Sequence, residues 1–294
     1  MRYWLVMPAA GVGRRFGENI PKQYADLHGR TVMEWSLATF LYDSRCAGVV
    51  VVISPNDPHW SSVASRLPDV TVATRATEPS VAAALADATR AAERHAGTDS
   101  RAGSGSGVTI HSPSSRGSAA VRLPQVVTAV GGEERSHSVR NGLAALSGQA
   151  LADDWILVHD AARPCVSRQD VDKLLDRVHV HPVGGLLASP ASDTLKRAGT
   201  DKEITETVDR TGLWRALTPQ MFRYGKLCYA LDCALAEGRS PTDEAQALEW
   251  VGEKPVVIEG STTNIKITSA DDLVIAIALM AARAGARESG EHLT

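Results

Sequence analysis

Short apolar runs recur along the chain with helix-period segments between them, and this alternation narrows the possible folds more than any other feature. The runs are YWLVM at 3–7, VVVVI at 49–53, VVTAV at 126–130, WILV at Trp155–Val158 and GGLLA at 184–188. Between them, residues 31–41, 138–146 and Arg168–Val178 repeat apolar side chains at helical spacing. Strand runs without polar alternation are those of a sheet buried on both faces, so the pattern predicts a mainly parallel sheet with helices on either side. In such a sheet ligands bind beyond the carboxyl ends of the strands. The segments that follow the runs are therefore where function is sought.

The first of these reads PAAGVGRRFGENIPKQY, residues 8–24. Small residues allow backbone N–H groups to approach a phosphate chain, and Arg14, Arg15 and Lys22 supply the positive charge that a polyphosphate needs. A ligand-free strand-to-helix turn has the same residue types, so on these alone both readings stand. The segment fits neither the dinucleotide G-x-G-x-x-G pattern nor a Walker loop, since the third glycine of the first would fall at Phe16 and Lys22 follows Pro21.

The chain carries 31 basic and 34 acidic residues among its 294, a formal charge of −3, which gives no general attraction to nucleic acid or to an anionic membrane. Any anion site is local. Cys46, Cys165, Cys228 and Cys233 have neither C-x-x-C nor zinc spacing, which fits a reduced, cytoplasmic protein with free, non-catalytic thiols. Pro8 interrupts the N-terminal apolar stretch, and the apolar run at 273–282 is too short to span a bilayer, so no targeting or membrane segment is expected.

From 69 to 124 the pattern breaks into Ala-, Ser-, Arg- and Gly-rich sequence that includes GSGSG at 103–107. RLPDV at 66–70 and RLPQV at 122–126 flank it as near copies, either of which can lead into the native strand. Residues 69–124 are expected to be a disordered, low-complexity insertion with at most one transient helix, through Val81, Ala84, Leu85 and Ala88. Farther on, Thr242 is expected to cap a helix that opens with Asp243 and Glu244, and Ser269 with Asp271 and Asp272 repeats the signature. Short strands are expected at 256–258 and 264–267, where pattern alone makes Lys266 a solvated edge charge.

Two more segments follow strands. Asp160, in VHDAARP, suits a ribose hydroxyl, a metal or a substrate hydroxyl, and equally a turn or helix cap; His159 suits a packed, hydrogen-bonded role. The glycines of GGEERSHSV, residues 131–139, offer backbone groups beside Arg135 and Ser138 that could read a base edge, at the start of a helix from roughly Ser138. The polar stretch holding SDTLKR and VDR would pass for a surface hairpin.

Taken in order, PAAGVGRRFG…PKQY, GGEERSHSV, VHDAARP, SDTLKR, TVDRTGLWRALTPQ, TDEAQALE and NIKIT resemble the 2-C-methyl-D-erythritol 4-phosphate cytidylyltransferases of the non-mevalonate isoprenoid route. They span nearly the whole chain outside 69–124. The resemblance implies a Rossmann-like α/β fold of the nucleotidyltransferase type, one domain over 1–294 with a protruding β-arm at about 190–218 that dimerises. It also implies Mg2+-dependent transfer of CMP from CTP to methylerythritol phosphate, in a homodimer with composite sites. Arg15, Lys22 and Lys266 match its catalytic cations. Pro8, Ala9, Ala10, Gly11, Gly13, Arg14, Gly132, Glu133, Arg135, Ser138, Asp160 and Ala161 match its nucleotide positions. Asp160, Arg163, Thr194, Arg210, Thr218 and Lys266 match those at the acceptor, with Asp160 also at the metal; Thr242 matches a position nearby. Glu133 departs from the more usual Asp, which matters little if its contact is through the backbone. Two alternatives remain at this stage: a relative that activates another polyol phosphate such as ribitol 5-phosphate, and a non-catalytic nucleotide-binding regulator.

Overall fold

The computed structural model describes residues 1–11, 16, 20–67, 72–74 and 123–289, the backbone alone at 72–74 and 286–289. Eight strands form the main sheet: β1 (Tyr3–Pro8), β4 (Cys46–Ile53), β5 (Val72–Thr74), β6 (Gln125–Val130), β7 (Trp155–Val158), β8 (Gly184–Pro190), β11 (Trp214–Arg223) and β12 (Val256–Glu259), while β2 (Asp26–Leu27) and β3 (Arg30–Thr31) pair apart from it. Their spatial order is β12-β8-β11-β7-β1-β4-β6-β5. All adjacent pairs are parallel except the two made by β11, which runs antiparallel to β7 and β8. The five apolar runs are all strands, and β1 and β7 lie side by side at the centre.

Alternate side chains of β1 feed two different cores, as the pleat of a two-faced sheet requires. Tyr3, Leu5 and Met7 pack with Met33, Leu37 and Phe40 of α1 (Val32–Leu41), with Trp60 and Val63 of α2 (Trp60–Ala64) and with Val171, Leu174 and Leu175 of α4 (Arg168–Val178). Val6 faces the other way, against Val139 and Leu143 of α3 (Arg135–Ala144), Leu227 and Leu231 of α5 (Tyr224–Ala236), and Leu248 of α6 (Glu244–Trp250). Gly142 lets α3 approach closely: a Cβ there would stand 2.6 Å from Val6 Cγ1 and 2.8 Å from Val52 Cγ2. A third cluster joins Leu27, Val32, Cys165 and Ile267 to Leu273, Ile277 and Met280 of α7 (Ala270–Ser289).

Local chemistry explains most boundaries. Thr31 caps α1 in a reciprocal box with Glu34, the Glu34 N–H donating to Thr31 Oγ1 at 3.2 Å and the Thr31 N–H to Glu34 Oε2 at 2.7 Å. Ser269 caps α7, its Oγ accepting from the Asp272 N–H at 3.3 Å. Helix α3 starts at Arg135, three residues before the expected Ser138, because Glu134 already holds the extended cap conformation. At α6 the cap is Asp243 rather than Thr242: its Oδ1 accepts from the Gln246 N–H at 2.9 Å, while the Thr242 N–H donates to Gln246 Oε1 at 2.8 Å. Residues 264–267 form no strand; their backbone makes isolated bonds, such as Ile267 N–H to Ala162 O at 2.9 Å, in place of a ladder.

Two excursions leave the sheet's regular course. Most of 69–124 lies outside the described residues, but Val72–Thr74 within it are β5, the sheet's edge next to β6. Both copies of the R-L-P sequence thus lead into strands. The polar stretch forms an antiparallel hairpin apart from the main sheet, β9 (Leu195–Ala198) with β10 (Ile204–Val208), and its residues are largely exposed. The cysteines are unpaired, and burial pushes the Cys46 thiol up to about 12 and the Cys228 thiol to about 11, which makes them poor nucleophiles at neutral pH. Among the described residues no helix is long and apolar enough to cross a membrane.

Candidate active site

Strand β1 ends at Pro8, and the chain turns through Ala9, Ala10 and Gly11 beside β4, where the Ala9 N–H still donates to Val52 O at 2.7 Å. Gly13, Arg14 and Arg15 lie outside the described residues. Lys22 opens a short 3-10 turn, Lys22–Tyr24, that comes back against this loop. Gln23 is buried and donates its carboxamide to Ala9 O at 2.7 Å and Gly11 O at 3.0 Å. The Tyr24 hydroxyl bonds Asp57 Oδ2 at 2.9 Å, which anchors the other end of the turn.

The loop after β6 lies against the same turn. Its contact admits no side chain, since a Cβ on Gly131 would fall 2.3 Å from Ala10 Cβ and 2.9 Å from Ser138 Oγ. Ser138 closes the loop on itself: its Oγ accepts from the Gly132 N–H at 3.2 Å and donates to Glu134 O at 3.1 Å. Glu133 points outward and is exposed. Arg135, on the first turn of α3, reaches inward.

At the end of β7 stands Asp160, 6% exposed and ringed by cations from three separate segments. Arg135 Nε is 3.0 Å from its Oδ1, Lys266 Nζ 2.9 Å from its Oδ2, and Arg163 Nε 3.6 Å from Oδ2. Burial alone would raise this carboxyl's pKa, but Arg135, then Lys266 and Arg163, outweigh it and hold the group well below the usual carboxylate range. Asp160 is therefore a permanent anion. Lys266 is not the solvated edge charge that pattern suggested, because folding sets its segment against the loop after β7 and gives it this partner. Arg163 Nη1 donates to Asn264 O at 2.7 Å, and Asn264 Nδ2 to Thr218 O at 2.7 Å, which ties the Lys266 segment to β11.

Beneath the cluster runs a closed chain of neutral hydrogen bonds. The Asp160 N–H donates to Thr218 Oγ1 at 3.1 Å, Thr218 Oγ1 lies 3.0 Å from His159 Nδ1, and His159 Nε2 lies 3.1 Å from Arg163 O. A carbonyl can only accept, so Nε2 carries the proton and Nδ1 takes the threonine's. Burial pushes the His159 pKa down to about 4, with Asp160 opposing less strongly, so the ring is neutral at pH 7. Ala161 is buried, its carbonyl accepting from Ser36 Oγ at 2.9 Å.

Glu244, which sequence reading treated only as a first-turn acid, completes the cluster. It is 1% exposed and grips Arg135 with both oxygens, at 2.6 and 3.2 Å, so Arg135 bridges two buried carboxylates. Burial raises the Glu244 pKa and Arg135 opposes that rise. Its signal was visible only as part of TDEAQALE; nothing in the spacing pointed to Arg135, 109 residues earlier. Thr194 and Arg210 stand exposed at the two ends of the hairpin, where Arg210 Nη1 donates to Ser192 O, and among the described residues neither bonds to the Asp160 cluster.

Among the described residues no three His, Cys, Asp or Glu side chains converge to hold a metal. Asp160 retains lone pairs beyond those facing Arg135 and Lys266, while Glu244 is taken up by Arg135. That donor set fits a magnesium ion that takes most of its oxygens from phosphates and water, as this cation commonly does.

A glycine turn and a cation-ringed carboxylate gathered at the carboxyl ends of a mainly parallel sheet form a crevice suited to an anionic ligand such as a nucleotide, and the likeness to known proteins makes it that of a nucleotidyltransferase. The family model for 2-C-methyl-D-erythritol 4-phosphate cytidylyltransferase matches residues 3–98 and 106–282. The enzyme of that description from Pseudomonas aeruginosa is 42% identical over 273 residues, covering 92% of this chain and 93% of the relative. That from Vibrio vulnificus is 39% identical over 271 residues, covering 92% and 91%. The crystal structure of the Francisella tularensis enzyme superposes with a TM-score of 0.67 at 29% identity, covering 95% of this chain and 100% of that one. The chain belongs to the 2-C-methyl-D-erythritol 4-phosphate cytidylyltransferase family of the non-mevalonate isoprenoid pathway, and its reaction is cytidylyl transfer from CTP to methylerythritol phosphate. The match favours this acceptor over ribitol 5-phosphate, and an enzyme over a non-catalytic regulator. Within 69–124 only residues 99–105 fall outside it.

Proposed function

We propose that the triphosphate of CTP lies along residues 8–15, with Arg15 and Lys22 at the α-phosphate, and that the cytosine sits against the 131–138 loop. Pro8, Ala9, Ala10, Gly11, Gly13 and Arg14 serve the ribose and phosphates; Gly132, Glu133, Arg135 and Ser138 serve the base side, with Ala161 lining the pocket. The acceptor lies with Arg163, Thr194, Arg210, Thr218 and Lys266. A phosphate oxygen of the acceptor attacks the α-phosphorus, a new P–O bond forms, and the bond to the bridging oxygen breaks to release pyrophosphate. The nucleophile is already an anion, so no general base is needed, and catalysis is alignment plus stabilisation of charge.

The observation that carries this reading is Asp160, held ionised beneath Arg135, Arg163 and Lys266 at the mouth shared by the Ala9–Gly11 and 131–132 loops. The cations fix the carboxylate, and the carboxylate fixes them for phosphate oxygens on their outward side. Neutral His159 sets the Thr218 hydroxyl and the Asp160 backbone, a positioning role that requires no proton transfer. Asp160 would be the one protein carboxylate on a magnesium ion, which would neutralise phosphate charge when bound. Thr194 and Arg210, exposed beside the hairpin, would act in a neighbouring copy's site, making the exposed part of about 190–218 the dimerisation arm of a single 1–294 domain, while Thr218, buried on β11, serves its own site; solvent-facing polar residues with no partner in their own site support this.

The test is Lys22→Ala, assayed by pyrophosphate release from CTP and methylerythritol phosphate. Turnover is expected to fall by about 10²–10³-fold, the scale for removing one donor from the developing charge, with CTP affinity falling much less. Equal losses in both would assign Lys22 to ground-state binding and refute its role.

A further inference from the structure

The backbone of a phosphate-binding turn works only if its carbonyl oxygens point away from the anion, because the negative end of a carbonyl dipole repels phosphate where an N–H attracts it. In this chain the three successive carbonyls of the turn are each taken by a side chain from elsewhere. Gln23 Nε2 donates to Ala9 O at 2.7 Å and to Gly11 O at 3.0 Å, and Ser54 Oγ donates to the intervening Ala10 O at 2.9 Å. Among the described residues, neither the Ala10 nor the Gly11 N–H donates to a protein acceptor.

We propose that Gln23 and Ser54 are positioning residues for CTP: they draw the carbonyls of Ala9, Ala10 and Gly11 toward the protein and so present the turn's N–H groups to the triphosphate. This rests on residues 9–11 being the nucleotide loop. The two side chains come from different places, Gln23 from the turn that carries Lys22 and Ser54 from the residue after β4, so the loop is clamped from both sides. Gln23 is 4% exposed and spends its amide on these two carbonyls alone among the described contacts. A glutamate at this position would face two carbonyl oxygens with an acceptor-only carboxylate at neutral pH.

The test compares wild type with Gln23→Glu, Ser54→Ala and Ser54→Thr in steady-state kinetics for both substrates, with CTP affinity by calorimetry and thermal melting alongside. Gln23→Glu should raise the KM and Kd for CTP about 10- to 100-fold, the scale of two lost hydrogen bonds. Ser54→Ala should raise them about 3- to 10-fold for one such bond, and Ser54→Thr, which keeps the hydroxyl, should restore most of the loss. In every variant kcat and the KM for methylerythritol phosphate should stay within about threefold, the signature of lost uniform binding. CTP constants within twofold of wild type, or equal weakening for both substrates, would overturn the proposal; if Gln23→Glu does not fold, the serine pair decides by the same criteria. A wild-type enzyme that releases no pyrophosphate from this substrate pair would instead refute the functional reading beneath it.

Discussion

Replacing His159 with asparagine should change how stability depends on pH, and the size of the change follows from the ring's surroundings. His159 has no exposed surface, accepts from Thr218 through Nδ1 and donates to Arg163 O through Nε2. Burial lowers its pKa from 6.5 to about 4, so between those values the unfolded chain binds a proton that the folded one refuses. Stability contributed by the neutral ring is therefore complete above 6.5 and drains away as the pH falls toward 4. At about 1.4 kcal/mol per unit this amounts to about 3 kcal/mol across the window. The depressed carboxyls Asp43, Asp160 and Asp272 act in a lower window, since their stabilisation is present above 3.8 and is lost below it. Urea unfolding at pH 7.5, 6.5, 5.5 and 4.5 would measure the effect. At pH 7.5 His159→Asn should cost about 1–2 kcal/mol for the lost bond to Arg163 O and the altered packing, and that deficit should shrink and then reverse as the pH falls. A deficit that stays constant across the series would refute the buried, neutral assignment, because nothing else distinguishes the two proteins' titration.

Glu244→Gln should destabilise the protein by about 2 kcal/mol, the scale of a buried charge-assisted contact, and lower kcat/KM for CTP about tenfold as Arg135 loses one of its two anchors; urea unfolding and kinetics check both, and unchanged values would make the pair incidental. Gly131→Ala should cost about 1–3 kcal/mol by overpacking and raise the KM for CTP, because its methyl would collide with Ala10 Cβ at 2.3 Å; a crystal structure of the variant would show the two loops parted. Mixing inactive Lys22→Ala and Arg210→Ala proteins should restore up to about a quarter of wild-type activity if each site draws Arg210 from the other subunit, while no recovery after subunit exchange would rule out composite sites.

Much of the architecture follows from patterns that act within a few residues. The uninterrupted runs at β1, β4, β6, β7 and β8 are those of strands covered on both faces, and the caps at Thr31 and Ser269 obey local hydrogen-bond geometry. The loop after β1 and the Asp after β7 were legible as a site because strand ends in a parallel sheet share one edge. Where two local signals competed, only the structure chose: Asp243 and not Thr242 caps α6, and residues 264–267 bond across to Ala162 instead of pairing as a strand.

What the sequence determined by itself was a parallel α/β sheet, the order of its motifs and, through their company, the family. Tertiary structure alone decided that Lys266, Arg163 and Arg135 would share one carboxylate, that Glu244 would hold Arg135 from across the fold, and that Gln23 and Ser54 would turn three carbonyls inward. The physical reason is range. Propensity, capping and periodicity report on neighbours along the chain, whereas the charge state of Asp160 or His159 depends on burial and on partners that only folding brings within a few ångströms.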